Sequence, residues 1–362
     1  MGPKYRKKRK LAEVGSEISA SKRRIVSQSS QVSDLMLAAS HLRLNSSLDS
    51  SYNLDDLPSS ASLFTKRAVE ALKMSFKPAK KIIDVIPNID ISKVKNFPEV
   101  YYLNKIDRDF LRKPDFSIEK LKKQKKNPIK DKRVLSFISK LYRAVEYSDL
   151  KIGMRETTTD SLVDDLLRIV DLNDWPLVIR NHPSFNIYIK NNAYVTIPKF
   201  TVMNEDKDIA LIQSMHLQNV GPPSNFGEVQ IAAKILACAC QNIRSLDYDV
   251  HIQKDQEDQY IDQTIFAIRV ISTYVTFYKA EIPSKYLEKL DEGLPQEQKI
   301  EILRWPNRNG AKTGYNLAQP NGRQNVLISL VKIREWNLRN LRNKWRKRRR
   351  KRRRSKQKNS EK

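Results

Sequence analysis

The sequence predicts an α/β domain, a mixed sheet flanked by helices, set between strongly basic termini. Three observations carry this reading. Apolar residues recur at helical spacing in two segments between residues 134 and 170, the period shortens to two over residues 177–215, and a helical pattern rich in small residues then precedes two β-branched segments. Hydrophobic content of 40%, with 14 Tyr and 11 Phe, suffices for a core of about 200 residues. The charge lies almost wholly outside that stretch.

The 362 residues hold 68 Lys and Arg against 41 Asp and Glu, a net charge of +27, which excludes an ordinary neutral enzyme. Residues 1–25 carry +7, residues 117–133 carry +6 and residues 341–362 carry +13, together +26 of the total. No apolar run approaches the roughly 18 residues of a membrane span. The basic first residues lead into no apolar stretch, so a soluble protein without a secretory signal is expected. Cys238 and Cys240 lie two apart in one expected helix, which disfavours a disulfide and fits a reducing compartment.

The C-terminal run KWRKRRRKRRRSKQK holds Lys344, Arg346, Lys347, Arg348, Arg349, Arg350, Lys351, Arg352, Arg353 and Arg354. It repels itself too strongly to be stable as an isolated helix. Its composition points to an import signal read by an importin-type receptor, or to a phosphate-binding arm for DNA or RNA. The N-terminal KYRKKRK contributes Lys4, Arg6, Lys7, Lys8, Arg9 and Lys10 to a second signal of this kind. The expected location is the nucleus, with the nucleolus as a further address. A solvated tail without an address is the alternative.

Along the chain, residues 1–62 are expected to be a disordered basic and Ser-rich region, with twelve Ser between Ser27 and Ser62. Residues 63–131 read as a partly helical, Lys-rich linker, with Leu63 to Phe76 as one short helix. The α/β domain spans 132–335. Its first helix is set by Val134, Phe137, Ile138, Leu141 and Val145. A second, near Thr159 to Val170, starts at the cap-forming cluster Thr157-Thr158-Thr159-Asp160. Leu177 to Ile179 and Phe185 to Ile189 read as strands. Tyr194 to Met203 and Ile209 to Met215 read as a hairpin around residues 204–207. A helix at Phe226 to Ile243, strands at Gln263 to Val270 and Thr273 to Ala280, and an edge strand at 298–304 complete the core. Gln324 to Trp345 reads as a helix entering the tail, residues 336–362, which is helical and then disordered.

The order helix, hairpin, helix, strand resembles the PD-(D/E)XK nuclease superfamily, the restriction-endonuclease-like fold. The segments His182 to Ile189, Asn219 to Ile243 and Gln263 to Pro283 resemble a multicopy group of nuclease-like proteins in early-diverging fungi. The resemblance places a helix acid at Glu156, the Pro-acid pair at Pro198-Lys199, the Glu-x-Lys at Gln213-Ser214-Met215 and a later glutamine at Gln230. Metal-dependent hydrolysis needs two carboxylates and an ammonium where these positions offer a cation, an amide and a thioether. The resemblance therefore implies a relative that has lost catalysis. The hairpin register pairs Lys199 with Gln213, with Met215 on the same side of the sheet.

Glu205-Asp206-Lys207 satisfies Glu-x-Lys as a string but falls in the turn. Asp208, Glu205 and Glu228 are candidate migrated ligands, and Asn225-x-x-Glu228 also reads as a helix cap. The four His show no metal spacing with one another or with the cysteines, so no metal site is expected. The start of the helix after Asn219, with Lys199 near it, is a candidate phosphate landing. The chain is thus expected to be a nuclear nucleic-acid-binding protein without a cofactor. The alternatives are a nuclear protein-interaction or regulatory protein, and an active nuclease; Mg²⁺ enters only with the last.

Overall fold

The computed structural model describes residues 53–124, 128–148, 157–204, 207–215, 220–248 and 260–360. They form an α/β body around one mixed sheet. Its strands are β1 (Met74–Pro78), β2 (Leu177–Asn181), β5 (Phe200–Asn204), β6 (Lys207–Met215), β7 (Gln263–Ile271), β8 (Tyr274–Ile282), β9 (Ile300–Trp305) and the short β10 (Tyr315–Asn316); β3 (Phe185–Ile189) and β4 (Asn192–Thr196) form a separate hairpin. The sheet order is β1-β9-β8-β7-β6-β5-β2, with β10 also paired to β8. β1 runs parallel to β9 and β6 parallel to β7; the other neighbours are antiparallel.

Helices cover both faces. Short helices α1 (Lys66–Ala71), α2 (Arg108–Leu111) and α3 (Ile118–Lys122) precede α4 (Lys132–Tyr147) and α5 (Thr157–Ile169). They are followed by α6 (Glu228–Tyr248), α7 (Ser284–Glu292) and α8 (Pro320–Ser360). The period-two alternation of the strands divides the core. Ala210, Ile212, Phe266 and Ile268 pack beneath α4, α5 and α8, while Leu211, Ile265, Ala267 and Ala280 pack beneath α1, α6 and α7. Ala232, Ala233, Ala237 and Ala239 are fully buried in α6 and let it lie close on the sheet and on β3.

Several expectations change. Residues 63–131, read as a linker, supply β1 and bury Leu72, Val85, Ile86, Ile106, Leu111 and Leu121 in the two cores, and Leu57 and Ala61 before them are buried as well. The segment read as one helix splits into α1 and β1, which separates Ala68 and Val69 on the helix from Met74 on the strand. β9, expected at the edge, lies between β8 and β1. The stretch 194–203 is two strands of different sheets, broken at Ile197-Pro198-Lys199, because Pro198 has no amide for a ladder. The hairpin register is as expected where pairing begins, with Phe200 opposite Ile212 and Val202 opposite Ala210, and shifts at a bulge before Met203.

Gly322 in the first turn of α8 sits on β10: a Cβ there would lie 2.2 Å from the Asn316 carbonyl oxygen, so only glycine fits. That close approach seats the long helix on the body. Arg323 next to it is wholly buried, and its guanidinium donates to the carbonyls of Tyr102, Leu103, Ile106 and Leu317.

Candidate functional site

Helix α5 turns Asp160, Val163 and Leu167 toward the sheet, at the three- and four-residue steps that place side chains on one face. Ser214, on the α5 side of β6, donates its hydroxyl to one Asp160 oxygen. The Lys199 ammonium stands 3.5 Å from the other. Asp160 is therefore the acid that α5 brings to the sheet; Glu156 lies outside the described residues. Sequence reading assigned Asp160 to a cap cluster. Its spacing to Val163 and Leu167, both inward, was the signal that it belongs to the buried face.

Gln213 and Met215 lie on the opposite, α6 side, as alternation from Ser214 requires. The buried Gln213 accepts from the ammonium of the buried Lys234 on α6 and donates its amide to the Ser214 carbonyl at 3.2 Å. Met215 packs against Gly227, whose φ of +84° would strain any side chain placed there. Gln230 sits half-buried one helical turn before Lys234. Lys199, Gln213 and Met215 thus do not share a pocket. Lys199 precedes the first paired residue of β5, so the alternation counted from Gln213 does not govern it; its carbonyl instead accepts from the His182 amide at 2.9 Å.

At the start of α6, Asn225, Phe226 and Gly227 all have positive φ. The Asn225 amide donates to Glu228 at 2.8 Å, and the second Glu228 oxygen takes Arg304 at 2.6 Å. The expected pair Asn225 and Glu228 is in contact, but Asn225 is left-handed, not an extended cap residue. Arg269, wholly buried in β7, holds this turn by donating to the Phe226 carbonyl at 2.6 Å and to Asn309 at 2.8 Å; Asn309 in turn donates to the Asn225 carbonyl. The phosphate landing expected here is not built. A buried carboxylate occupies the first helical turn, and Lys199 lies across the sheet.

The third candidate acid, Asp208, is buried beside Arg180 at 3.2 Å, and Asn242 brackets its backbone with two bonds of 2.8 Å. Burial raises its pKa against the opposing effects of Thr201 and Arg180. Cys238 and Cys240 are buried free thiols, and burial pushes the Cys238 thiol well up. Asp160, Asp208 and Glu228 are each matched with a cation, and among the described residues no three His, Cys, Asp or Glu converge as metal ligands. Glu205, Asp206, His41, His216 and His251 lie outside the described residues; His182 is exposed with positive φ. Comparison with known proteins finds no matching family model and no curated relative.

The remaining concentration of charge is on α8. Val326, Leu327, Leu330, Val331, Ile333 and Leu341 bury its inner stripe, and Trp336 meets Phe266 edge to face. Arg334 donates to the Val170 carbonyl at 3.0 Å and to Asp171 at 2.7 Å, at the C-terminal end of α5. The helix then continues unbroken to Ser360, with Arg346 exposed. Residues 341–362 contain fourteen Lys and Arg and one Glu. A run that repels itself in isolation is here the extension of a packed helix whose nucleation cost the buried half has already met. No helix among the described residues is long and apolar enough to cross a membrane. The N-terminal cluster Lys4 to Lys10 lies outside the described residues.

Proposed function

We propose that the chain is a nuclear nucleic-acid-binding protein: a nearly neutral, restriction-endonuclease-like body that presents a cationic helical arm to phosphate backbones. The observation that carries this reading is the continuity of α8, anchored by buried side chains through Leu341 and running on through the Arg/Lys run to Ser360. The fold assignment is supported by the order α5, β5, β6, α6, β7, with β5 and β6 as a hairpin and β6 parallel to β7. Binding in place of cleavage is supported by the matching of Asp160 and Glu228 with cations, since a hard cation needs open carboxylate oxygens.

The test is a salt titration of binding to DNA and RNA, with and without residues 344–362, a truncation that keeps Leu341. With six or more phosphate contacts, the full chain loses about a thousandfold or more in affinity between 50 and 200 mM salt. The truncated chain binds at least about a hundredfold more weakly, with a shallow slope. Equal binding by both forms would move the interface elsewhere, and no binding by either would leave the basic runs as import signals on a protein-interaction module. Mg²⁺-dependent cleavage abolished by Glu156→Ala would restore the nuclease reading.

A further inference from the structure

Resting on the reading just given, we infer that the arm is built for B-form duplex DNA, in preference to single strands or RNA duplexes, and that its helical state sets this preference. The run from Lys344 to Arg354 has ten Lys or Arg in eleven residues. The backbone holds these residues in α8. At a rise of about 1.5 Å per residue they span about 16 Å, one positive charge per about 1.6 Å of axis. Duplex DNA carries one negative charge per about 1.7 Å of axis, whereas each strand alone carries one per about 3.4 Å. In an extended arm the same residues stand about 3.3 to 3.6 Å apart. The helix therefore matches the linear charge density of a duplex, and the extended chain that of a single strand.

Width and length agree with the charge. A helix with side chains is about 10 to 12 Å across, and the B-form major groove is about 12 Å wide. The major groove of A-form RNA is deep and too narrow for side chains to read. From Leu341, buried against the body, to Ser360 the helix extends about 28 Å. Between Gly322 and Ser360 the sequence has neither Gly nor Pro to interrupt it. The packed half supplies what an isolated cationic peptide lacks: a formed helix to which the run is attached in register.

The experiment compares binding of the full chain to a 20-base-pair DNA duplex, the matched single strand and the matched RNA duplex by fluorescence anisotropy at equal salt. Asn343→Pro breaks the helix where it leaves the body and leaves the charge unchanged. The expected result is a preference for the DNA duplex of about tenfold or more over both other probes. In Asn343→Pro this falls to within about twofold, with a matching loss of helical circular dichroism. If Asn343→Pro disturbs the body, Lys347→Pro compared with Lys347→Gln asks the same question beyond Leu341. Equal affinity for duplex and single strand, a preference for RNA, or a duplex preference that survives the proline overturns the inference while leaving nucleic-acid binding in place. Failure of the full chain to bind any probe removes the proposed function itself.

Discussion

Replacing Arg323 with Met tests what seats α8 on the body. The guanidinium makes five bonds to four main-chain carbonyls: Nε to Tyr102 at 3.1 Å, Nη1 to Leu317 at 2.6 Å, and Nη2 to Tyr102, Leu103 and Ile106 at 3.0, 3.0 and 2.7 Å. Burial lowers its pKa to about 10, with Asp107 opposing. That shift corresponds to a cost of about 3 kcal/mol for holding the charge inside. Nη2 has two N–H groups for its three acceptors, so four N–H groups act; at about 1.5 kcal/mol each they give about 6 kcal/mol, leaving a net contribution of about 3 kcal/mol. Methionine removes the charge and its cost but leaves the Tyr102, Ile106 and Leu317 carbonyls without these donors, while Leu103 keeps the Ile106 amide at 2.8 Å. The expected loss is about 3 kcal/mol, a drop in Tm of about 6 °C for a body of this size. Arg323→Lys offers three donors in place of four and loses about 1.5 kcal/mol by the same count. Thermal and urea unfolding of both variants check this. A loss under about 1 kcal/mol in Arg323→Met, or a Lys variant as stable as the parent, would refute the claim that the guanidinium joins α8 to residues 102–106.

Two further outcomes follow from buried carboxylates. Glu228→Gln keeps the contact with Asn225 but leaves Arg304 a neutral partner, and is expected to cost about 2 kcal/mol. A double-mutant cycle with Arg304→Gln should show coupling of 1 kcal/mol or more, on the order seen within hydrogen-bonded networks; additivity would show that the pair is not coupled. Asp208 has a raised pKa in the folded state, so the folded protein holds its proton more tightly than the unfolded chain does. Its contribution is present below the ordinary carboxylate range and is lost as pH rises through the folded pKa. The stability of the parent relative to Asp208→Asn should therefore fall as pH rises through and above the ordinary carboxylate range. A flat difference across that range would sink the assignment.

The periodic elements were legible because alternation and helical spacing are local properties. Phe185–Ile189 was read with its observed bounds, and the pairing of Phe200 with Ile212 followed from the position of the turn alone. What escaped were long-range partnerships. Met74–Pro78 is too short and too polar on its outer side to announce a strand; it becomes one because β9 offers a parallel ladder more than two hundred residues later. Lys199 was assigned to the wrong face by extending the β5–β6 alternation one residue before Phe200, where that pairing begins. Asp160, Lys234 and Arg269 were passed over, the first absorbed into a cap cluster and the other two embedded in apolar runs. Yet a lone cation within an apolar helix or strand must find acceptors in the interior, and both do.

Those interior cations also bear on where the proposed binding would reside. Arg269, Arg323, Arg334 and Lys234 are buried and directed at carbonyl, carboxylate or amide oxygens of the body itself. A charge so placed contributes to joining elements: β7 to the turn before α6, α8 to residues 102–106 and to the end of α5, and α6 to β6. It is not available to a phosphate. Outside the three basic segments the chain is nearly neutral in sum, and part of its positive charge is enclosed, so the accessible surface of the body is less cationic than its composition suggests. Electrostatic attraction to a polyanion must then reside in the basic segments. Among the described residues, 341–360 extend an element whose inner half is fixed by a buried stripe and by two buried arginines. Loss of Arg323 would therefore weaken orientation of the arm before it weakened its charge, which separates the structural role of this residue from the electrostatic role of the run beyond Leu341.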